Sequence, residues 1–479
     1  MSAEHFDFAV LGGGSAGYAA ARTAHELGLK TIVIDGAEEL GGLCILRGCM
    51  PSKSLIESAN RNLTLRHATE FGLSATVGEV DTRAILQRKR RLIREFAEYR
   101  QGQLQDGRFT LMRGLGRIEK TDDAKVSLTV ALRDGGSTSV SVSYVLVATG
   151  SGIHVPALPG LAATGFWTSD TILDAAEIPP SFIVLGGGAI ALEMAHFLEG
   201  IGRKVTLIQR SPQLLAGTDA DVANVVQNAF VRRGMNVFCG TDLKEIARTP
   251  DGKRVTFEHL GETHHVEAAE ILVALGRRPA VAALGLQSVG VSCASNGALQ
   301  VAPTQQTSHP RIFAAGDVCG PLEVVHLAIQ QGEVAAKNVA ALLRGQAPVC
   351  SMDYRCRLFG VFTEPQVAVV GLSEADANAQ GIPIRTAKYP FNEHGKSIVK
   401  NETDGFVKLI AHEATGVLLG GAAVGPEATE LIHEIAVAVH LGATAAQLAT
   451  APHYHPTLSE IWTYPAEELA TYSMPLLDS

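Results

Sequence analysis

At 479 residues, with 46% hydrophobic residues, only 5% aromatics and 49 glycines, the chain is long enough for about three domains and suits tightly packed α/β layers. A formal net charge of −9 argues against a polyanionic partner, so no nucleic-acid binding is expected. No apolar run reaches roughly 18 residues, and "MSAEHFDFAVLGGG" carries no basic, cleavable leader, so the expectation is a cytoplasmic protein with no membrane association and reduced thiols.

The first predicted unit is "FAVLGGGSAGYAAARTAHELGLKTIVID" (8–35), an apolar strand, a glycine turn, a helix and a second strand. In a dinucleotide site Gly12 allows the tight turn, Gly14 lets the backbone approach a pyrophosphate, and Gly17 lets the helix pack closely on the strand. The free N–H groups of the helix N-terminus then face the phosphates. Asp35 ends the second strand, where a carboxylate accepts hydrogen bonds from a ribose 2′-OH, so an unphosphorylated adenosine ribose is expected.

Next comes "GGLCILRGCMPSK" (41–53), which holds two of the seven cysteines. The others, Cys239, Cys293, Cys319, Cys350 and Cys356, lie in apolar or turn contexts and read as small buried hydrophobes. The Cys-x4-Cys spacing of Cys44 and Cys49 lacks the second pair that a zinc ribbon requires, so no metal is expected. It suits reversible disulfide chemistry, with Gly48 easing the turn and Pro51 opening a helix whose N-terminus favours a thiolate.

"FIVLGGGAIALEMAHFLEGIGRKVTLIQ" (182–209) repeats the first unit without gaps. Gly186 and Gly188 keep the turn, Ala191 replaces the third glycine, and the strand ends in Gln209 and Arg210 instead of an acid. Without a carboxylate a 2′-phosphate is not repelled, and Arg210 can pair with it, so this site favours NADP over NAD. The alternative is a solvated Arg beside an NAD site.

"YVLVATGS" (144–151) and "EILVALGRRP" (270–279) each end a strand in a glycine turn, and Thr149, Gly150 and Gly276 read as cofactor contacts. "RIFAAGDVCG" (311–320) ends a strand on Gly316 and Asp317; Asp317 suits either a ribitol hydroxyl or the N-cap of the helix that follows. Turn residues interrupt the helical pattern at 344–354, and from about 350 short alternating strands and helices indicate an α+β domain.

The string "GGLCILRGCMPSK", the paired fingerprints, "ATGS", "ALGRRP", "AAGD" and "HYHPTLSE" together resemble, from end to end, the class I pyridine nucleotide-disulfide oxidoreductases. That family includes dihydrolipoamide dehydrogenase, glutathione reductase and mercuric reductase. The resemblance implies an α/β fold of two Rossmann-like dinucleotide-binding domains plus a C-terminal α+β dimerisation domain. The implied boundaries are 1–152 and 279–347 for FAD, 153–278 for NAD(P) and 348–479 for dimerisation. It further implies that FAD occupies the first fingerprint and the nicotinamide cofactor the second, with electrons passing to a Cys44/Cys49 disulfide. Cys49 would be the charge-transfer thiol beside the flavin and Cys44 the thiol that exchanges with substrate. Lys53 would lie near the flavin and pair with Glu193 of the "LEMA" run, the alternative being that both simply occupy helix surfaces. His455 would be the acid–base histidine, a task suited to an imidazole, and Glu460 the carboxylate that orients it. Because this histidine serves the other subunit's disulfide in the family, a homodimer with shared active sites is implied. His453 receives no role.

Within the family the ends of the chain point differently. "FTEPQVAVVGLSEADA" and "HYHPTLSE" resemble dihydrolipoamide dehydrogenase, whereas Ala191, Gln209 and Arg210 resemble NADP-using reductases. The Arg210-Ser211 pair is also familiar from mercuric reductases, but the tail "ELATYSMPLLDS" lacks their C-terminal cysteine pair. Ala189 stands where glutathione reductases carry a tyrosine. The expectation is a dihydrolipoamide-dehydrogenase-like enzyme using NADPH and a small dithiol or disulfide. The alternatives are a glutathione-type reductase, a mercuric reductase, or a flavin-bound redox sensor or assembly subunit.

Overall fold

The structure is a computed structural model describing residues 4–76, 78–122 and 124–471. The end of the cysteine-free tail, from Tyr472, lies outside the described residues. The chain forms two compact units. The first takes in the described residues of Met1–Pro51, Gln87–His154 and Gly276–Asp353, and the second those of Ser52–Leu86, Val155–Leu275 and Tyr354–Ser479.

In the first unit the strand His5–Leu11 runs parallel to Thr31–Asp35 on one side and to Ser137–Val147 on the other. Thr110–Thr121 and Ile312–Ala314 extend the sheet outward. Apolar side chains fill both faces of these strands: Ala9, Ile32 and Ile312 belong to one core, and Phe8, Val10, Val33 and Phe313 to another. This explains the near-continuous apolar runs where a one-sided sheet would alternate.

The second unit repeats the arrangement. Ser181–Leu185 lies between Lys204–Gln209 and Glu270–Val273, with Asn236–Cys239 and Trp167–Thr168 outermost and every pairing parallel. The same unit holds an antiparallel sheet in the order Leu358–Val361, Gln366–Gly371, Leu418–Gly425, Phe406–His412, Ile384–Pro390. The helix Ala428–Leu441 buries Leu431, Ile432 and Ile435 in its core. The α/β architecture with a C-terminal α+β region is as expected. No described helix is long and apolar enough to cross a membrane.

Two expectations are corrected. The helix after Asp317 runs Val325–Leu343 with Val324 at its N-cap, so Asp317 sits in a turn well before it and does not cap it. The scattered cysteines are not uniformly buried: Cys293 is exposed and Cys239, Cys319, Cys350 and Cys356 are half-buried. Burial still pushes the Cys319 thiol up to about 12, helped by the Asp317 charge.

Lys408 has a fully buried side chain within the second unit, and its Nζ donates to Asp219 Oδ2 at 2.6 Å and Glu374 Oε1 at 2.7 Å, with Asp221 at 3.2 Å. Burial pulls the ammonium down, but these carboxylates outweigh it and hold the lysine protonated. Removing one partner of a buried ion pair leaves uncompensated charge. Lys408→Met should therefore destabilise the folded protein by about 3–5 kcal/mol in a denaturant melt. An unchanged midpoint would show that the cluster contributes nothing to stability.

Candidate active site

Gly12 adopts φ +102°, and a Cβ there would lie 2.5 Å from the Ala148 carbonyl oxygen. A Cβ on Gly17 would lie 1.8 Å from Gly12 O, so helix and turn touch through backbone alone. Gly14 is the N-cap of the helix Ser15–Glu26 and no side chain caps it, which leaves the N-terminal N–H groups turned toward the glycine loop. Asp35 is 7% exposed; its Oδ2 accepts the Gly13 N–H at 2.7 Å and its Oδ1 the Ala37 N–H at 2.8 Å. The acid thus fixes the turn itself.

The second turn is built alike. Gly186 has φ +121°, and Gly188 is the N-cap of the helix Ala189–Gly200, again without a side-chain cap. Ala191 is fully buried. Gln209 takes the place of Asp35: its side chain lies against Gly187 and its Oε1 accepts the Arg210 N–H at 3.1 Å. Arg210 is exposed, and its guanidinium makes no ion pair among the described residues. Two twelve-residue helices left uncapped at glycine turns fit the pyrophosphates of two dinucleotides.

Thr149 Oγ1 donates to Ala280 O at 2.8 Å, and Gly150 O accepts the Ala280 N–H at 2.9 Å. Gly276, with φ +108°, accepts the His154 N–H at 2.9 Å. These bonds flank the antiparallel pairing of Ser151–Ile153 with Arg277–Pro279. Arg277 Nε donates to Ser151 Oγ at 2.8 Å, and Ser151 Oγ donates to Asp317 Oδ2 at 2.6 Å. Ser151, the partner of Asp317, and Arg277, which reaches Ser151, were missed, since no local pattern links them.

Cys44 is half-buried on the short helix Gly42–Leu46, and Cys49 is exposed as the first residue of the helix Cys49–Arg66. This helix begins at Cys49, not Pro51; Pro51 falls in its first turn, where its missing N–H costs nothing. A Cβ on Gly48 would come within 3.0 Å of Leu43 O and 3.2 Å of Cys44 Cα, so the chain doubles back tightly between the two thiols.

Lys53, one turn into that helix, reaches both oxygens of Glu193 at 2.7 and 2.8 Å. Glu193 is 4% exposed, so neither residue is a mere surface charge. The Phe362 N–H donates to Glu193 Oε1 at 3.2 Å, and Lys53 Nζ lies 4.6 Å from the Phe362 ring centre. Phe362 was not foreseen.

His455 Nδ1 lies 2.9 Å from Glu460 Oε2. The imidazole is 79% exposed and the carboxylate side chain 11%, so a buried anchor presents an open ring. His453 instead has a 9% exposed side chain tied to Glu434 at 2.6 Å and to Ala451 O, a brace for the loop. The other oxygen of Glu460 faces buried His394, also unforeseen, at 3.4 Å. Among the described residues no cluster of three or more His, Cys, Asp or Glu side chains is arranged to hold a metal ion.

Residues 6–332 match the family model "Pyridine nucleotide-disulphide oxidoreductase", and residues 359–466 match the dimerisation domain of that family. The chain is similar to dihydrolipoyl dehydrogenase of Chlamydia muridarum, at 34% identity over 464 residues covering 96% of each chain. The Bacillus subtilis dihydrolipoyl dehydrogenase is 33% identical over 467 residues, again 96% of each. Among solved structures, LpdA from Mycobacterium tuberculosis superposes with a TM-score of 0.86 at 29% identity, over 97% of this chain and 99% of that one. With its uncapped glycine turns, its close-set cysteines and a C-terminal region of the dimerising type, the chain belongs to the pyridine nucleotide-disulphide oxidoreductases, FAD-dependent enzymes of disulfide chemistry.

Proposed function

We propose that the chain is a dihydrolipoamide-dehydrogenase-like enzyme that uses NADPH to reduce a small disulfide, or oxidises the corresponding dithiol, through Cys44 and Cys49. The observation that carries this reading is the His455–Glu460 pair, an open imidazole on a buried carboxylate, suited to proton transfer in thiol exchange. The similar dihydrolipoyl dehydrogenases support the substrate class.

Gly12, Gly14, Gly17, Asp35, Thr149, Gly150 and Asp317 would hold FAD, and Gly186, Gly188, Ala191, Gln209, Arg210 and Gly276 the nicotinamide nucleotide. Bound FAD supplies hydride acceptance and hands on an electron pair. The Lys53–Glu193 pair keeps a cation fixed one turn from Cys49. The helix N-terminus at Cys49 favours its thiolate, which suits the flavin side of the pair. Cys44 attacks the substrate disulfide and forms a mixed disulfide, and His455 gives its proton to the leaving thiolate. Cys49 then attacks Cys44, releases the second thiol and restores the Cys44–Cys49 disulfide.

His455 acts, on this reading, on the partner subunit's disulfide. Exposed Val437 and Leu441 on one face of the helix Ala428–Leu441, with exposed Tyr454, offer the apolar surface that a homodimer buries. The domain boundaries 1–152, 153–278, 279–347 and 348–479 belong to the same proposal, as does a cytoplasmic location, where Cys239, Cys293 and Cys350 stay reduced. A second reading, a glutathione-type NADPH reductase, is favoured by the uncharged Gln209 and unpaired Arg210 and disfavoured by Ala189. An assay of NADPH and NADH oxidation against lipoamide, glutathione disulfide and mercuric ion separates these readings; turnover of lipoamide is expected, and turnover of glutathione disulfide alone would replace the first reading with the second.

Cys44→Ser should abolish disulfide turnover yet leave a Cys49 thiolate to perturb the spectrum of the oxidised flavin, whereas Cys49→Ser should leave no such perturbation. Equal spectral effects would reverse or erase the assigned roles. For His455→Ala, the exchange step should slow by roughly 10² to 10⁴ with flavin reduction by NADPH nearly unchanged, as stopped-flow would resolve. Equal slowing of both steps would make the histidine structural. Arg210→Ala should raise the NADPH KM about tenfold or more and barely move that for NADH, while Gln209→Glu should favour NADH. If Arg210→Ala affects both cofactors alike, the NADPH preference is wrong.

A further inference from the structure

Glu460 is shared by two histidines with opposite surroundings. His455, on Oε2, is open to solvent, whereas His394, facing Oε1, has no exposed side-chain surface. His394 Nδ1 lies 2.9 Å from Ser397 Oγ, which is itself fully buried. A carboxylate only accepts hydrogen bonds, so the nitrogen facing it must carry the ring proton, which leaves Nδ1 to accept from the Ser397 hydroxyl. The 3.4 Å separation at Nε2 is longer than a formed hydrogen bond, and Nε2 has no other partner among the described residues. A buried N–H with that one carboxylate oxygen in reach is committed to it.

We propose that His394 is a positioning residue: held by Ser397, its Nε2–H restrains Oε1 of Glu460, so that Oε2 stays on His455 Nδ1 and the proton affinity of His455 is set. This inference rests on the acid–base role of His455 proposed above. The groups facing His394 are Glu460, His455 and Tyr464, whose ring lies edge-on at 6.4 Å, with Tyr389 stacked behind Tyr464 and Glu393 next in the chain. Burial disfavours the His394 imidazolium, Glu460 opposes that, and His455 adds to the burial effect, so His394 is neutral at neutral pH and works as a donor. A neutral donor draws carboxylate charge away from His455. Without it that charge falls more fully on His455, and the imidazolium is favoured.

The test compares His394→Asn, whose amide reaches only the Ser397 side, with His394→Gln, whose amide reaches the position of Nε2. Both are measured as flavin-loaded dimers with lipoamide as the probe disulfide. The Asn variant should move the pH limb of the exchange step upward by about half a unit, a threefold change in proton affinity. The Gln variant should restore it, and flavin reduction by NADPH should be unchanged in both. A wild-type limb in the Asn variant, or equal slowing of flavin reduction and exchange in both variants, overturns the proposal. If His394→Asn does not fold, Ser397→Ala, which frees Nδ1, should shift the limb the same way by less, and no shift overturns it. His455→Ala run alongside separates the two levels. If it leaves exchange unimpaired, the proposed acid–base role fails and takes this inference with it; if it slows exchange while His394→Asn is silent, only this inference fails.

Discussion

A single carbonyl oxygen governs the N-terminal half of this molecule. Gly12 O stands where a Cβ on Gly17 would come within 1.8 Å, a distance no side chain tolerates. The helix Ser15–Glu26 therefore lies against the turn through backbone alone, and its uncapped N-terminus is brought to the carboxyl end of the strand His5–Leu11. Asp35 completes the arrangement from below by holding Gly13 and Ala37. The second copy relaxes the constraint, since Ala191 fits in full burial and Gln209 fills the place of the acid without its charge. The same scaffold thus tolerates different chemistry at its two strand ends. One presents a carboxylate and the other an amide followed by an exposed guanidinium.

A second principle recurs along the chain: an exposed or half-exposed side chain is anchored by a buried charge that cannot stay unpaired. Glu193 is buried and bound by Lys53 and the Phe362 N–H; Glu460 is buried and bound by His455 and faced by His394. Burying a carboxylate costs several kcal/mol unless partners satisfy it, so each anchor dictates where its partner stands. Lys408 inverts the pattern, a buried cation amid Asp219, Asp221 and Glu374. The division is one of exposure: Lys53 and His455 are left open on one side, and Lys408 is enclosed on every side.

The strands, glycine turns and helices of both βαβ units were legible because they obey local rules: continuous apolar runs for two-sided burial, glycine where φ is positive, helix after turn. The Cys-x4-Cys spacing was equally local, and Gly48 suits it, since a Cβ there would crowd Leu43 O and Cys44 Cα. Local rules also misled. Asp317 looked like a helix cap because an amphipathic run follows it, but Gly320 and Pro321 interrupt the helical pattern and the helix begins only at Val325. The scattered cysteines looked buried from apolar neighbours, yet exposure depends on which edge of a turn or strand meets solvent.

Read along the chain alone, the residues settle the elements, the two glycine turns, the strand-end residues Asp35 and Gln209, and the short spacing of Cys44 and Cys49. All of these depend on residues within a few positions of one another, where backbone sterics and periodicity suffice. Long-range packing alone brings Arg277 to Ser151 and Ser151 to Asp317, Phe362 over Lys53 and Glu193, and His394 to Glu460. The bond from Ser151 to Asp317 spans 166 positions and that from Phe362 to Glu193 spans 169. A contact of that span leaves no periodic trace in the chain. It exists only because the packing of sheets and helices delivers two distant side chains to the same buried place, where an unpartnered charge would be too costly to keep.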